Sequence, residues 1–431
     1  MTGIRSLMPD LPVSLLGAAP DVTETAATYL AAGGYRDVTR PDVLLDHITE
    51  AGLRGRGGAG FPTAVKLRAV REGGGAPVVV ANGEEGEPGS AKDRWLLRAR
   101  PHLVLDGLAH AAAMTGAARG YVYLSDPAAG DSVRRALAER RPRFPIEVVE
   151  TAHTYVAGEE TAVVRRINGG PALPTAKPPR PFEQGVGGEA TLVSNVETLA
   201  RIALIAVRPE LRRRVARSTL VTLSGAPTEP VLAEVPYGIT LRTLAAAHGA
   251  PDATGALMGG LFGGLVDART LDLPLAPDTL AAANTALGCG AIRFLGADEC
   301  PVTTAADAVG HLAAESARQC GVCVSGTAAI RDTLNSLTAG TAGPDTVSKL
   351  LRWSEGLPGR GACGLLDAAA GTAGSLLRAF PERVESHLGT LCPACASCPP
   401  ERGRRLAVAV PEVLDLSRSD GRAGSAPLPS R

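Results

Sequence analysis

Neither sign of charge is in excess in this chain: Lys+Arg and Asp+Glu each number 44. Without an overall field, general attraction to nucleic acid or to an anionic membrane is excluded, and a charged partner has to be met by a local patch. Long apolar runs are missing too. Nothing approaches the roughly 18 uninterrupted residues of a spanning helix, so no direct membrane span is expected. The opening stretch MTGIRSLMPDLPVSLLGAAPD lacks a basic n-region and a small-residue cleavage site, and a cytoplasmic location is expected. Lysine is nearly absent, with arginine in its place. Lys66, Lys92, Lys177 and Lys349 remain, and the first three lie in motifs described below, where a compact ammonium has uses a guanidinium lacks.

What is present is a 431-residue chain, 45% apolar and 20% charged, enough for two or three packed domains. Its eight cysteines are not spread as paired staples. Cys320, Cys323, Cys363, Cys392, Cys395 and Cys398 crowd the last quarter with C-x-x-C spacings, which in a reducing compartment favours metal over disulfide. Cys289 and Cys300 stand outside any such pattern and read as small buried apolar groups. His387 and the other histidines have no H-x-x-H or H-x-x-x-H partner, so the histidines do not suggest a zinc centre.

Residues 1 to 40 read as a peripheral leader with one helix. From 41 to 215, helical, strand and loop patterns alternate: VLLDHITEAGL, then PVVVAN, HLVLDGLAHAAAMTGA, GYVYLS and DSVRRALAERR. That alternation predicts a three-layer α/β domain with crossover connections. From 216 to 300, STLVTLSGA, EPVLAEVPYG and TLRTLAAAHGA predict two strands and a helix in a small α+β unit. From 301 to 390, four segments of helical periodicity predict a helical bundle with cysteines at its turns, and a Cys/Pro/Arg-rich tail follows at 391 to 431.

Gly55, Gly57 and Gly60 satisfy G-x-G-x-x-G, but an amphipathic helix precedes them where the dinucleotide fingerprint requires a strand. A simple Rossmann reading is therefore weak. A dense glycine loop still lets backbone N–H groups approach a phosphate or a flat ring, and Arg56 and Lys66 add positive charge. The loop from Asn82 to Gly89 sets Glu84, Glu85 and Glu87 where the sheet should end in its ligand crevice. Carboxylates repel pyrophosphate, so these suit ribose hydroxyls or an amide. A solvated acidic face is the bland alternative.

Five stretches, GLRGRGGAGFPTAVK (52 to 66), NGEEGEPGSAKDR (82 to 94), YVAGEETA (155 to 162), KPP (177 to 179) and TLVSNVETL (191 to 199), occur in an order and spacing that resemble one family. It is the 51 kDa-type NADH-binding flavoprotein subunit of respiratory NADH:quinone oxidoreductase (complex I), with relatives in NAD-linked hydrogenases and formate dehydrogenases. The resemblance implies a non-classical Rossmann-like α/β domain for FMN and NADH, then a β-grasp (SLBB-like) domain, then an iron–sulfur helical module. It implies that Gly55, Arg56, Gly57, Gly58, Lys66, Asn82, Glu84, Gly158, Glu159, Glu160, Val193 and Asn195 surround FMN. It further implies that Phe61, Glu85, Glu87, Glu160 and Lys177 face the nicotinamide nucleotide. Glu85, at the adenosine ribose, counts with the cofactor-binding set as well. Aligning ESARQC (315 to 320) with the family puts Ala317 where its first cysteine belongs. Cys320, Cys323 and Cys363 remain as matched ligands of a 4Fe–4S cluster, and Cys392, the nearest tail cysteine, is expected to complete it.

The implied activity is NADH oxidation: hydride passes to FMN, and electrons pass singly through the 4Fe–4S cluster to a redox partner, a ferredoxin-like or 2Fe–2S protein. The protein's part is to position and tune, and no side chain is assigned as catalytic. Two other readings compete. One is a non-catalytic docking protein of the same fold, and the other is a zinc-binding interaction protein built on CPACASC (392 to 398).

Overall fold

The computed structural model of the protein describes residues 3–8, 10–11, 13–36, 40–225, 228–401 and 403–415. Parts of the expected leader, residues 226–227, residue 402 and the tail beyond 415 lie outside the described residues. Ten strands occur among the described residues: β1 (Gly3–Ser6), β2 (Val78–Asn82), β3 (Arg119–Leu124), β4 (Ile146–Glu150), β5 (Thr191–Asn195), β6 (Ser218–Ser224), β7 (Val231–Pro236), β8 (Gly255–Met258), β9 (Gly264–Asp267) and β10 (Ala291–Leu295).

The continuous apolar run at 78–81 forms a central strand because both of its faces are covered. β2 lies in a four-stranded sheet of order β4-β3-β2-β5, parallel throughout. Side chains alternate across it. Val79, Ala81, Val122, Leu124 and Leu192 join a large core with the helices Pro41–Ala51, Thr63–Glu72, Pro101–Thr115 and Val196–Val207. Val78, Val80, Tyr121, Tyr123 and Val193 face the other way, into a small cluster closed by Val163 of helix Glu160–Ile167. The two covers are unequal, a large core on one face and a small cluster on the other.

The second sheet is mixed, with order β1-β7-β6-β10-β8-β9. Helix Leu241–His248 packs on it through Leu241, Leu244 and Ala245. The segment expected to be a peripheral leader is built into this sheet, since β1 pairs in parallel with β7 from Gly3↔Val231 to Ser6↔Glu234. The physical reason is the edge of β7, whose free N–H and C=O groups demand a partner. Beyond β1, the Leu15 N–H donates to Glu234 at 3.1 Å, and Leu15, Leu16 and Tyr29 are buried.

Helices Pro301–Ala314, Gly321–Thr338, Thr346–Gly356 and Leu365–Ala379 share a third core that includes Val302, Val309, Ile330, Leu334, Leu350, Leu366 and Leu376. The Cys/Pro/Arg-rich tail carries regular structure. Pro393–Ser397 is a short helix, and the chain then runs back across the α/β domain to pair Leu414 with Val22.

Candidate functional site

β2 and β5 are neighbours that end together, with Asn82 opposite Asn195. From β2 the chain builds β3 and β4 on one side and returns as β5 on the other. The carboxyl ends of β2 and β5 therefore meet at a topological switch point, where open α/β sheets place their ligands. Asn82 joins two loops there. Its Nδ2 donates to the Gly158 carbonyl at 2.8 Å, and its Oδ1 accepts from the Glu84 N–H at 3.2 Å. Asn195 caps helix Val196–Val207 by accepting from the Glu197 N–H at 2.9 Å and donates to Asp93 at 2.7 Å.

Glycine is needed where these loops touch. A Cβ on Gly158 would stand 2.9 Å from the Glu84 carbonyl oxygen, and one on Gly57 would stand 3.3 Å from the Asn195 Cβ. Gly58 and Gly60 have φ of 119° and 62°, the left-handed region open to glycine, and a Cβ on either would meet nothing within 4 Å. The loop thus presents bare backbone to open space beside the strand ends. Gly55 anchors it through an N–H bond to the Phe61 carbonyl at 2.9 Å, and the Phe61 ring stands out at 51% exposure.

Beside this backbone lies an ion cluster. Lys66 Nζ meets Glu160 at 3.1 Å. Lys177 Nζ meets Glu159 at 2.7 Å and Glu160 at 3.2 Å. Glu159 also caps helix Glu160–Ile167, accepting from the Thr161 N–H at 2.8 Å. Burial by itself would raise the Glu160 carboxyl, but Lys66 and Lys177 outweigh it and hold it below the ordinary value. Burial likewise opposes the charge on Lys177, and its two glutamates reverse that and raise it. Both signs stay charged at neutral pH in a half-buried place, ready for a polar ligand.

Other expected residues are placed differently. Arg56 does not bring its charge to the glycine loop's open face. Its guanidinium is buried and donates to the carbonyls of Ala216 at 2.7 Å and Ser218 at 3.0 Å, because the start of β6 lies directly behind the loop. Glu85 has no free carboxylate edge toward a ribose, since it accepts from the Asp93 N–H at 3.1 Å and from Arg94 Nε at 3.2 Å, and Ser90 donates to it as well. The Asp93 N–H is one of the backbone donors at the start of helix Lys92–Ala99 that have no partner within the helix, and Glu85 satisfies it. Glu87 turns to the second sheet, where it accepts from the Tyr155 hydroxyl at 2.9 Å and the Leu261 N–H at 3.1 Å. Val193 is part of the sheet wall. Asp93, His153 and Glu197 carry no role in the sequence pattern, although Asp93 and Glu197 sit in the quoted stretches. His153 Nδ1 lies 3.1 Å from Glu84, and that bond raises the imidazole above its ordinary value.

The cysteines fall into two groups. Cys320, Cys323 and Cys363 line one recess together with Ser316 and Ala317. Cys392 is not on its wall. It stands with Cys300, His387 and Cys395, their ligand atoms all within 4.8 Å of one another. The expectation that Cys392 completes the first set is thereby corrected. After His387 the chain turns into helix Pro393–Ser397, which carries Cys392 and Cys395 to the start of helix Pro301–Ala314. Cys300, expected to be a lone apolar group, belongs to this second set.

Two family models match the chain: the Nuo51 FMN-binding domain over residues 48–204 and the NADH-ubiquinone oxidoreductase-F iron-sulfur binding region over residues 303–387. An F-type subunit of NADH-quinone oxidoreductase from Rhizobium meliloti is 31% identical over 395 residues, which are 84% of this chain and 94% of that protein. The chain belongs to this F-type flavoprotein family. The corresponding F-type protein of Streptomyces coelicolor is 31% identical across 86% of this chain and 90% of its own. The NADP-reducing hydrogenase subunit HndC of Solidesulfovibrio fructosivorans is 30% identical across 86% and 82%. Among solved structures, an NAD+-reducing [NiFe]-hydrogenase in its H2-reduced state superposes with a TM-score of 0.71 at 30% identity, over 82% of this chain and 63% of that one. As a member of the F-type family, the chain is an oxidoreductase with an FMN-binding domain and a 4Fe–4S region.

The residues fit those groups. Glu84 Oε2 is buried without a hydrogen-bond partner, and Glu84 packs against Gly158, where a polar ligand would satisfy that oxygen. Cys320, Cys323 and Cys363 are thiol donors of the kind iron–sulfur clusters take. No helix among the described residues is long and apolar enough to cross a membrane.

Proposed function

We propose that the β2/β5 switch point holds FMN and that NADH binds over it from the side of Phe61 and the Lys66–Glu160–Lys177 cluster. Bound FMN supplies hydride acceptance and one-electron release. The carrying observation is the convergence of three loops on Asn82 and Asn195 at paired strand ends. In this reading Gly55, Gly57, Gly58 and Gly158 keep the backbone near enough for N–H groups to reach the ligand. Lys66, Asn82, Glu84, Glu159 and Asn195 set its polar contacts, while Arg56 and Val193 hold the wall behind it. Phe61, Glu160 and Lys177 meet the nucleotide. Glu85 and Glu87 act at one remove, fixing the acidic loop between helix Lys92–Ala99 and the second sheet.

Cys320, Cys323 and Cys363 hold the 4Fe–4S cluster, with Ala317 standing where the family's first cysteine belongs. The mixed second sheet with helix Leu241–His248 is a β-grasp, SLBB-like unit, and the helices from 301 onward form the bundle that carries the cluster. Electrons leave to a ferredoxin-like or 2Fe–2S partner protein. The purified protein should be yellow-brown and should bleach anaerobically on addition of NADH. Gly158→Ala should bind FMN at least about tenfold more weakly, equal to about 1.4 kcal/mol, in a flavin fluorescence titration. A colourless native protein, or full flavin affinity in Gly158→Ala, would overturn the assignment.

A further inference from the structure

Among the described residues, the one group of three or more Cys, His or acidic side chains able to share a metal ion is Cys300, His387, Cys392 and Cys395. It lies apart from the recess of Cys320, Cys323 and Cys363. We infer that these four side chains bind a single zinc ion and that this ion clasps the C-terminal tail to the helical region. The inference is independent of where FMN and NADH bind.

Three observations point to one tetrahedral ion. The first is the ligand set: three thiols and one imidazole make a Cys3His site, typical of structural zinc, and Cys392 and Cys395 form the C-x-x-C turn that such sites use. The second is spacing. Zn–S bonds of about 2.3 Å put tetrahedral ligand atoms about 3.8 Å apart. Here His387 Nε2 lies 3.3 Å from both the Cys300 and the Cys395 sulfur, and all four atoms fall within 4.8 Å of one another. A four-iron cube would need wider spacing, because each ligand there binds a different corner.

The third observation is how the imidazole is held. His387 Nδ1 lies 2.5 Å from the Arg383 carbonyl, so this nitrogen carries the proton and donates it. That leaves Nε2 with its lone pair aimed at the sulfurs, the arrangement usual for a metal-ligating histidine. Thr303 Oγ1 donates to the Cys395 sulfur at 3.1 Å, fixing a second ligand. Cys300, Cys395 and His387 are buried, as a closed structural site requires. Cys398 is exposed and contacts Arg405 instead, so it lies outside the set. Zinc binding would release the three thiol protons to solvent, with no oxidant or reductant involved.

The clasp has something to hold. Past Cys398 the tail crosses the α/β domain, where the Val408 N–H donates to the Pro88 carbonyl at 2.9 Å and the Leu414 N–H donates to the Asp21 carbonyl at 2.7 Å. Pro88 follows Glu87 in the acidic loop, so a fixed tail also steadies that loop.

The test is elemental analysis of the intact, cofactor-loaded protein purified without added chelator, with zinc, iron, acid-labile sulfide and flavin counted separately. About one zinc per chain is expected in addition to the iron. Its X-ray absorption fine structure should fit three sulfur ligands and one nitrogen. Cys392→Ala and His387→Ala should lose the zinc with iron, sulfide and flavin retained, and should be cut at least tenfold faster by protease within 399–415. His387→Cys should keep the zinc, which separates loss of a ligand from general misfolding. The inference fails if the wild type takes up no zinc even when supplied with it, or if zinc persists in both alanine variants. It fails equally if Cys392→Ala loses iron and sulfide while zinc is unchanged.

Discussion

At the residue scale, the acidic loop shows how one sequence motif divides its work. Three glutamates close together would repel one another if all faced a common ligand. In the fold, Glu84 keeps one oxygen unpartnered, Glu85 satisfies the start of a helix, and Glu87 bridges to Tyr155 and Leu261. Burial pushes the Glu87 carboxyl up to about 7, against the opposing pull of its two hydrogen bonds, from an ordinary value of 4.5. A raised carboxyl binds its proton more tightly in the folded state. Its contribution to stability is therefore fully present below about pH 4.5 and is lost as the pH rises through about 7. Glu87→Gln keeps a hydrogen-bonding side chain and removes the titration. Denaturation followed between pH 4.5 and 7 should show a flatter pH profile in this variant, with a difference on the order of 2 kcal/mol across the window. Parallel profiles would mean that Glu87 titrates normally.

At the scale of elements, the N-terminal strand shows a short segment acting beyond its length. β1 has only four residues, yet it covers the edge of β7 along Val231–Glu234. Removing residues 1–8 would expose a row of backbone donors and acceptors that can pair with another molecule. The truncated protein should melt earlier, by about 2–4 °C for each kcal/mol lost. It should also associate in a concentration-dependent way in light scattering. An unchanged melting point and a monodisperse solution would show that β1 adds nothing to the sheet.

At the scale of the whole molecule, a buried charge network joins the α/β domain to the second sheet. Glu197 is fully buried and meets Arg201 at 2.9 Å, Lys92 at 3.3 Å and Arg56 at 3.8 Å. It also accepts from the Leu220 N–H of β6 at 3.0 Å. Burial would raise its carboxyl, but Lys92, Arg201 and Arg56 together hold it low. Glu197→Ala would leave three cations buried without their shared anion. Removing one partner of a buried ion pair usually costs about 3–5 kcal/mol, and chemical denaturation should show a loss of that size. A loss below about 1 kcal/mol would mean that water reaches the network.

Local pattern alone was enough for the parts governed by near neighbours in the chain. Helical and strand periodicity predicted the alternation from 41 to 215. Glycine density marked the loops that need bare backbone, and five stretches carried the family resemblance. Side-chain direction was a different matter, because it depends on which surface lies behind a loop. Arg56 turns inward because β6 lies there, and Glu85 turns to a helix start that is itself eight residues further on. The metal donors show the division most sharply. The C-x-x-C spacing of Cys392 and Cys395 was legible, but Cys300 lies 87 residues from His387, and no spacing rule spans that distance. Only the packing of helix Pro301–Ala314 against the turn after His387 brings the four donors together, because a metal site is defined by distances in space, and chain order constrains those only over a few residues.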